Sequence, residues 1–392
     1  MWFRICIIPG VMVELAMPKA LRVGLIFGGR SGEHEVSLLS AQGVMTAIDK
    51  AKYQVVPIGI TKEGRWLASG DPLKALSSGA VAESNPALLL AEPSDRGLMR
   101  LEDLETERAL SAVQVSELDV IFPILHGPYG EDGTVQGLLE LAGIAYVGAG
   151  VAASAVGMDK VLFKGIMEAR GLPVVPYVVI LRKTWEREPD EVLARIEDSL
   201  GYDCFVKPAN LGSSVGISKA HDRAELRTAL DDAARYDRKL LVEVAVDARE
   251  IEVSVLGNDE PIASVPGEVV PSNEFYDYAA KYLDGESDLL IPAPIPNQTA
   301  EMIAQVAVDA YKAIDCAGMA RVDFLLDRKT GRVYLNEVNT LPGFTPISMY
   351  PKLWEASGIS YPELIDRLIQ LALERHADKS RSLTEYQVPE RQ

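Results

Sequence analysis

Three apolar runs early in the chain constrain its fold more than any other feature. LRVGLIFGG (21–29) is an unbroken apolar stretch running into a glycine turn, SLLSAQGVMTAIDK (37–50) has apolar residues at helical spacing, and VVPIGIT (55–61) is a second apolar stretch. Strand, helix and strand in that order begin a parallel sheet. Its strands are covered on both faces and therefore read as continuous rather than alternating hydrophobic runs. DVIFPILHG (119–127) is another such strand, and a glycine loop, GPYGEDGT, follows it. A helix at about 134–142 and a short strand, AYVG, complete an α/β unit reaching about residue 150. Residues 75–117 are polar, irregular and acidic, and read as an insertion.

Beyond this unit, SAVGMDKVLFKGIMEARG (154–171) reads as one helix closed by glycine. VVPYVVI and YDCFVKPA are strands, the loop NLGSSVG follows, and KLLVEVAV (239–246) is a strand leading into a linker. REIEVSVLGN (249–258) alternates and begins a third unit. Residues 266–296 form a long proline-containing segment, QTAEMIAQVAVDAYKAID (298–315) is an amphipathic helix, and a final helix spans about 361–375. At 392 residues, two or three domains are expected at roughly 150 residues each.

The net charge of −18 argues against nucleic acid or an anionic membrane as the main partner. A phosphate ligand would need a local basic pocket, which draws attention to lysines inside apolar strands. The three cysteines, Cys6, Cys204 and Cys316, are far apart and show no disulfide framework or metal spacing, in keeping with a reducing cytoplasm. The N-terminal MWFRICIIPGVMVELAMPKA is interrupted by Pro9 and Gly10 and is too short to span a membrane, so residues 1–16 read as an extension or as an alternative start ahead of Met17.

Chemistry concentrates in a hairpin, RVDFLLDRKTGRVYLNEVNTLPG (321–343). With a loop at 327–331, Asp323 faces residue 335 and Arg321 faces 337. Arg321, Asp323, Glu337 and Asn339 then project from one face. That face is either solvated, with Arg321 pairing Glu337, or a set of oxygen ligands for Mg²⁺ with an arginine beside it. FGGRSGEHEVS (27–37) is a poor dinucleotide turn, because Glu33 and Glu35 stand where a pyrophosphate would dock. The two acids either favour a helix N-terminus or hold a cationic amine. FVKPANLGSSVG (205–216) sets Lys207 at a strand end before a Gly/Ser loop of the kind that points N–H groups at phosphates, without P-loop spacing. His126 ends a buried strand ahead of a glycine loop, Lys160 opens VLFK, and Glu250 sits at an alternating position. No Ser-His-Asp order, Cys/His metal cluster or kinase motif pair stands out.

Taken together, FGGRSGEHEVS, HGPYGEDGT, MDK, VKPANLGSSVG, EIEV, the AKY of the 276–284 loop and RVDFLLD…LNEVNTLPG resemble, in order over roughly residues 20–375, the D-alanine–D-alanine ligases of the ATP-grasp superfamily. The resemblance implies an α/β, three-domain ATP-grasp fold with an N-terminal parallel-sheet domain. The division would be an extension (1–20), an N-terminal domain binding the first D-alanine (21–152), a central subdomain (153–247), a C-terminal subdomain with the metal site and a lid loop at 266–296 (248–378), and a tail (379–392).

On this resemblance ATP is a substrate, with Lys160 and Lys207 on its phosphates and Gly212, Ser213, Ser214 and Val215 closing over them. Glu243 with Val244 and Val246 meets adenine, Glu250 meets the ribose, and Phe324 and Asn336 complete the nucleotide site. A lysine often follows the Glu243 position in the family; here Val244 does, so the resemblance does not carry that polar adenine-side contact over. Asp323, Glu337 and Asn339 hold two Mg²⁺ ions, with Mn²⁺ as an alternative, and Arg321 stabilises the oxyanion. Glu33 holds the first ammonium group and His126 lies near the first carboxylate, while Ser213 and Tyr282 link the glycine loop, the lid and Glu33. Lys281, Ser348 and Met349, with Gly343, place the γ-phosphate and the second carboxylate. The partners implied are D-alanine, ATP and a second copy of the chain. Against a ligase using D-lactate stands the Lys281–Tyr282 pair; against a silent nucleotide-binding module stands the complete set Arg321, Asp323, Glu337 and Asn339.

Overall fold

The computed structural model describes residues 20–81, 86–93, 97–103, 110–212, 215–270 and 288–383. The chain opens with β1 (Leu21–Gly28), α1 (His34–Ala47), β2 (Tyr53–Ile60), β3 (Trp66–Leu67) and α2 (Pro72–Ser78). After β4 (Ala87–Leu89), β5 (Gly97–Asp103) and β6 (Leu110–Glu117) come β7 (Val120–Leu125), α3 (Thr134–Leu141) and β8 (Ala145–Tyr146). The first sheet runs β3-β2-β1-β7-β8, and β1, β2, β7 and β8 are parallel, as the apolar runs require. The stretch read as an irregular insertion instead carries a small antiparallel sheet, β4-β5-β6. Its Leu89 and Leu98 are buried in the same core as Ile26, Ile58 and Ile121, so apolar packing overrides the polar composition around it.

The single helix expected over 154–171 is two helices, α4 (Val151–Met158) and α5 (Lys160–Ala169). Asp159 lies between them with an extended backbone (φ −89°, ψ 96°) and accepts hydrogen bonds from the N–H groups of Val161 and Leu162, so it ends one helix by capping the next. Then come β9 (Tyr177–Leu181), α6 (Arg182–Arg187), α7 (Pro189–Leu200), β10 (Cys204–Pro208), β11 (Ser218–Ala220), α8 (Arg223–Tyr236) and β12 (Lys239–Val244). The strands make an antiparallel sheet, β11-β10-β12-β9, with a core of its own beneath α7 and α8.

The third part holds β13 (Ala248–Gly257), β14 (Ile262–Ala263), β15 (Gly267–Val270), β16 (Asp288–Leu290), α9 (Asn297–Ala313), β17 (Gly318–Asp327), β18 (Val333–Asn339), α10 (Met349–Ala356) and α11 (Tyr361–Lys379). Its sheet is antiparallel, β16-β15-β13-β17-β18 with β14 beside β13. Phe163 and Met167 of α5 bury against this sheet together with Ile303 and Ala307 of α9. The largest core joins the first and third parts: Val23, Leu25 and Phe122 pack with Phe344, Trp354, Leu364 and Leu368. Arg375 of α11 reinforces that junction by donating to the carbonyls of Tyr146 and Gly148. Among the described residues no helix is long and apolar enough to cross a membrane.

Candidate active site

The hairpin is built on a register different from the one counted from its sequence. Leu326 pairs with Val333 and Phe324 with Leu335, so the loop is one residue longer than expected. On its own this slip would turn Glu337 to the opposite face, because side chains alternate. A β-bulge corrects it: the pairing shifts between Asp323 and Phe324, Asn336 is the extra residue, and Asp323 faces Glu337 while Arg321 faces Asn339. The four polar side chains therefore do share a face. They are not solvated, and Arg321 does not pair with Glu337 as a solvated face would have it. Arg321 grips Asp323 through two hydrogen bonds of 2.7 Å and lies 3.0 Å from Glu252, whereas Glu337 lies 3.4 Å from Lys160. Asn339 Nδ2 donates to Asp323 at 2.9 Å.

This face forms one wall of a cavity of about 950 Å³ that the β10–β12 sheet closes from the other side. Arg321, Asp323, Phe324, Asn336 and Glu337 line it from the hairpin and Glu250 from the adjoining β13, and Lys160, Lys207, Gly212, Glu243, Val244 and Val246 line it from across. Lys160 is the first residue of α5 and donates to Leu211 O at 2.7 Å, which ties it to the start of the glycine loop. Lys207 Nζ sits 2.6 Å from Glu243 Oε2, and Lys164 Nζ sits 2.5 Å from Glu243 Oε1. Burial would push the Glu243 carboxyl up, but the charges of Lys207 and Lys164 win and hold it at about 2. The N–H groups of Val244 and Ala245 are bonded to the carbonyls of Pro176 and Asp203, so a base here meets other backbone groups.

The β1–α1 turn brings Glu33 to the same end of the cleft. A methyl group added at Gly127 would lie 3.2 Å from Glu33 Oε2, and one at Gly212 would lie 3.7 Å away, so the carboxylate stands between the histidine loop and the glycine loop. Glu35 instead points outward and pairs with Lys62 at 2.7 Å. The two acids thus divide the two readings between them: Glu35 is the helix-start acid and Glu33 faces the cleft. His126 is buried, and its Nδ1 lies 3.0 Å from Leu341 O and 3.7 Å from Glu131 Oε1, while no partner meets its Nε2 among the described residues. Burial opposes a charge on this ring, but Glu131 and Glu33 outweigh it and raise the His126 pKa above its ordinary value.

Ser348 precedes α10 and shares its hydroxyl with Thr345, and a methyl on Gly343 would lie 3.1 Å from it. The Met349 side chain packs with Val269 and Leu353, so a substrate contact there would fall to its backbone. Val215 is exposed. Ser213, Ser214, Lys281 and Tyr282, with most of the 266–296 segment, lie outside the described residues. Sequence reading passed over Glu252, Lys164 and Glu131. Glu252 had a signal, since it alternates with Glu250 on β13 and stands directly opposite Asp323.

The oxygen donors Asp323, Glu337 and Asn339 suit a hard divalent cation. Among the described residues no group of three or more His, Cys, Asp or Glu side chains forms a metal cage.

Two antiparallel sheets closing on a cavity with lysines on one wall and oxygen donors on the other define an ATP-grasp ligase. Family models described as the D-ala D-ala ligase N-terminus and C-terminus match residues 22–149 and 166–370. The chain belongs to the D-alanine–D-alanine ligase family. It is 53% identical over 363 residues to the D-alanine–D-alanine ligase of Heliobacterium modesticaldum, covering 93% of this chain and 97% of that one. It is 55% identical over 362 residues to that of a Thermoanaerobacter species, covering 92% and 98%. Among solved structures, the VanG D-Ala:D-Ser ligase from Enterococcus faecalis superposes with a TM-score of 0.80 at 35% identity, covering 90% of this chain and 100% of that one. The D-alanine–D-alanine ligase from Coxiella burnetii does so with 0.77 at 36%, covering 92% and 96%.

Proposed function

We propose that this ligase joins two D-alanine molecules to D-alanyl-D-alanine at the expense of ATP, for peptidoglycan precursor synthesis. The observation that carries the reading is the cavity itself, where Lys160 and Lys207 face Arg321, Asp323, Glu337 and Asn339. Glu33 and His126 close the end nearest the glycine loop and take the ammonium and carboxylate of the first D-alanine. That carboxylate takes the γ-phosphoryl group of ATP, giving an acyl phosphate and ADP. The neutral amine of the second D-alanine attacks the acyl carbon, the C–O bond to phosphate breaks, and phosphate and a proton leave.

Lys160 and Lys207 hold the nucleotide phosphates, Glu243, Val246 and Glu250 hold the base and ribose, and Arg321 turns from Asp323 to the oxyanion of the tetrahedral intermediate. Asp323, Glu337 and Asn339 would hold two Mg²⁺ ions, or Mn²⁺, which when bound neutralise phosphate charge against the substrate carboxylate. Ser348, Gly343 and the Met349 backbone receive the second substrate; Ser213, Lys281 and Tyr282 complete the set. The same reading places the chain in the cytoplasm as a homodimer, divided near residues 152 and 247. The buried thiols Cys204 and Cys316 fit a reducing compartment.

The test is purified protein with ATP, Mg²⁺ and D-alanine, reading ADP and dipeptide, with D-serine and D-lactate offered in parallel as second substrates. Stoichiometric ADP and D-alanyl-D-alanine are expected. ADP without dipeptide, or a mixed product favoured when all three are present, would overturn the assignment.

A further inference from the structure

The cavity explains Lys160 and Lys207, but not the lysine one turn beyond Lys160. Lys164 shares the inner face of α5 with Lys160, as residues four apart do. It is 1% exposed, does not line the cavity, and keeps its ammonium 2.5 Å from Glu243 Oε1. A buried ammonium is costly and needs a reason. Glu243 has two lysines where charge balance needs one, and the second, Lys207, is the one that reaches the cavity from β10.

We propose that Lys164 is a positioning residue that holds Glu243 in place for the nucleotide base and thereby releases Lys207 to the phosphates. The inference rests on the reading of the cavity as the ATP site. Lys207 sits on Glu243 Oε2. When phosphates arrive it leaves, and Glu243 would be an unbalanced buried carboxylate if Lys164 were absent. With Lys164 fixed on Oε1, the departure leaves a neutral pair and turns Oε2 into an acceptor facing the cavity. That acceptor suits the exocyclic amine of adenine and repels the carbonyl that guanine carries at the same position.

Titration calorimetry of ADP and GDP, without amino-acid substrate or turnover, tests this on wild type, Lys164→Met, Lys164→Arg, Glu243→Gln and the Glu243→Gln/Lys164→Met double variant. Lys164→Met should weaken ADP by about tenfold or more, since Lys207 stays bound to Glu243, and should narrow the preference for ADP over GDP. Lys164→Arg should recover most of both. Glu243→Gln/Lys164→Met should bind ADP as Glu243→Gln does, because Lys164 then has nothing to hold; this comparison also serves if Lys164→Met alone does not fold. Wild-type ADP affinity and preference in Lys164→Met would overturn the proposal, even with a lowered melting temperature. So would a further loss in the double variant. Wild type binding neither nucleotide would instead overturn the reading of the cavity on which the proposal rests.

Discussion

Asp159 is the residue whose removal should be felt both in stability and at the nucleotide site. Its side chain is 9% exposed and does three things at once. It accepts the N–H groups of Val161 and Leu162 at 3.1 Å each, and it pairs with Lys239 at the start of β12. Lys239 O in turn accepts Ala209 N, and Ala209 O accepts Lys160 N, so one carboxylate ties the start of α5 to both strands carrying the lysine–glutamate cluster. Asp159→Ala loses a helix cap worth about 1 kcal/mol. It also leaves Lys239, only 14% exposed, without its carboxylate, worth roughly 1.5–3 kcal/mol. The sum is about 3 kcal/mol, or a melting temperature lower by roughly 6–12 °C if the cooperative unit is about 150–250 residues.

Asp159→Asn keeps the cap, since Asn caps about as well as Asp, and loses only the charge. Its loss should therefore be smaller by about 1 kcal/mol. Differential scanning calorimetry of the three proteins gives the ranking, and ADP titration should show Asp159→Ala weakest, because Lys160 loses its anchor. Equal destabilisation by Ala and Asn would refute the capping argument. A change under about 0.5 kcal/mol for Ala would refute the whole account.

Arg321→Ala should lower kcat by roughly 10²–10³ while leaving ADP affinity within a few-fold, measured by coupled ADP release and titration. Glu243 should make acid stability visible: its carboxyl falls from the ordinary 4.5 to about 2 in the folded state, so its contribution is complete above pH 4.5 and is lost as pH falls towards 2. At about 1.4 kcal/mol per pH unit this is roughly 3 kcal/mol, and the gap in urea midpoint between wild type and Glu243→Gln should be constant above pH 5 and narrow below it. Gly28→Ala should destabilise by more than about 1 kcal/mol, because φ is +90° and a methyl group would meet Ile60 O at 2.2 Å; an unchanged thermal midpoint would contradict this.

What the sequence revealed and what it hid follow from the range over which each signal acts. The parallel strands β1, β2 and β7 were legible because burial on both faces leaves continuous apolar runs, a property of each strand alone. The break at Asp159 was equally local, since an N-cap residue stood ahead of a fresh apolar period, but a glycine-closed helix pattern masked it. The sheet β4-β5-β6 was hidden because its sequence is polar and acidic and the residues burying Leu98 come from another part of the chain. The ion-pair partners were hidden for the same reason: Lys164 meets Glu243 across 79 residues and Arg321 meets Glu252 across 69, and nothing in one chain announces such pairs.

The hairpin joins both kinds of signal. Counting by twos put Arg321, Asp323, Glu337 and Asn339 on one face, and they are on one face, yet the loop length assumed in the count was wrong. The extra loop residue and the bulge at Asn336 are each a one-residue change, and two such changes restore the period of two. A bulge at this point also turns Asn336 into the cavity. The irregularity that spoils the register is thus the means by which a regular hairpin presents two carboxylates, an amide and a guanidinium side by side. Deleting Asn336 removes the bulge yet keeps Glu337 opposite Asp323, because Glu337 then follows Leu335 directly and takes the pairing place beside Asp323. That variant should keep the fold of the sheet and hold Mn²⁺ as wild type does, measured by electron paramagnetic resonance in the presence of ADP, while ADP binds more weakly because the Asn336 side chain is gone from the cavity wall. Loss of Mn²⁺ binding in the deletion would show that the facing of Asp323 and Glu337 is not enough to hold the ion without the bulge.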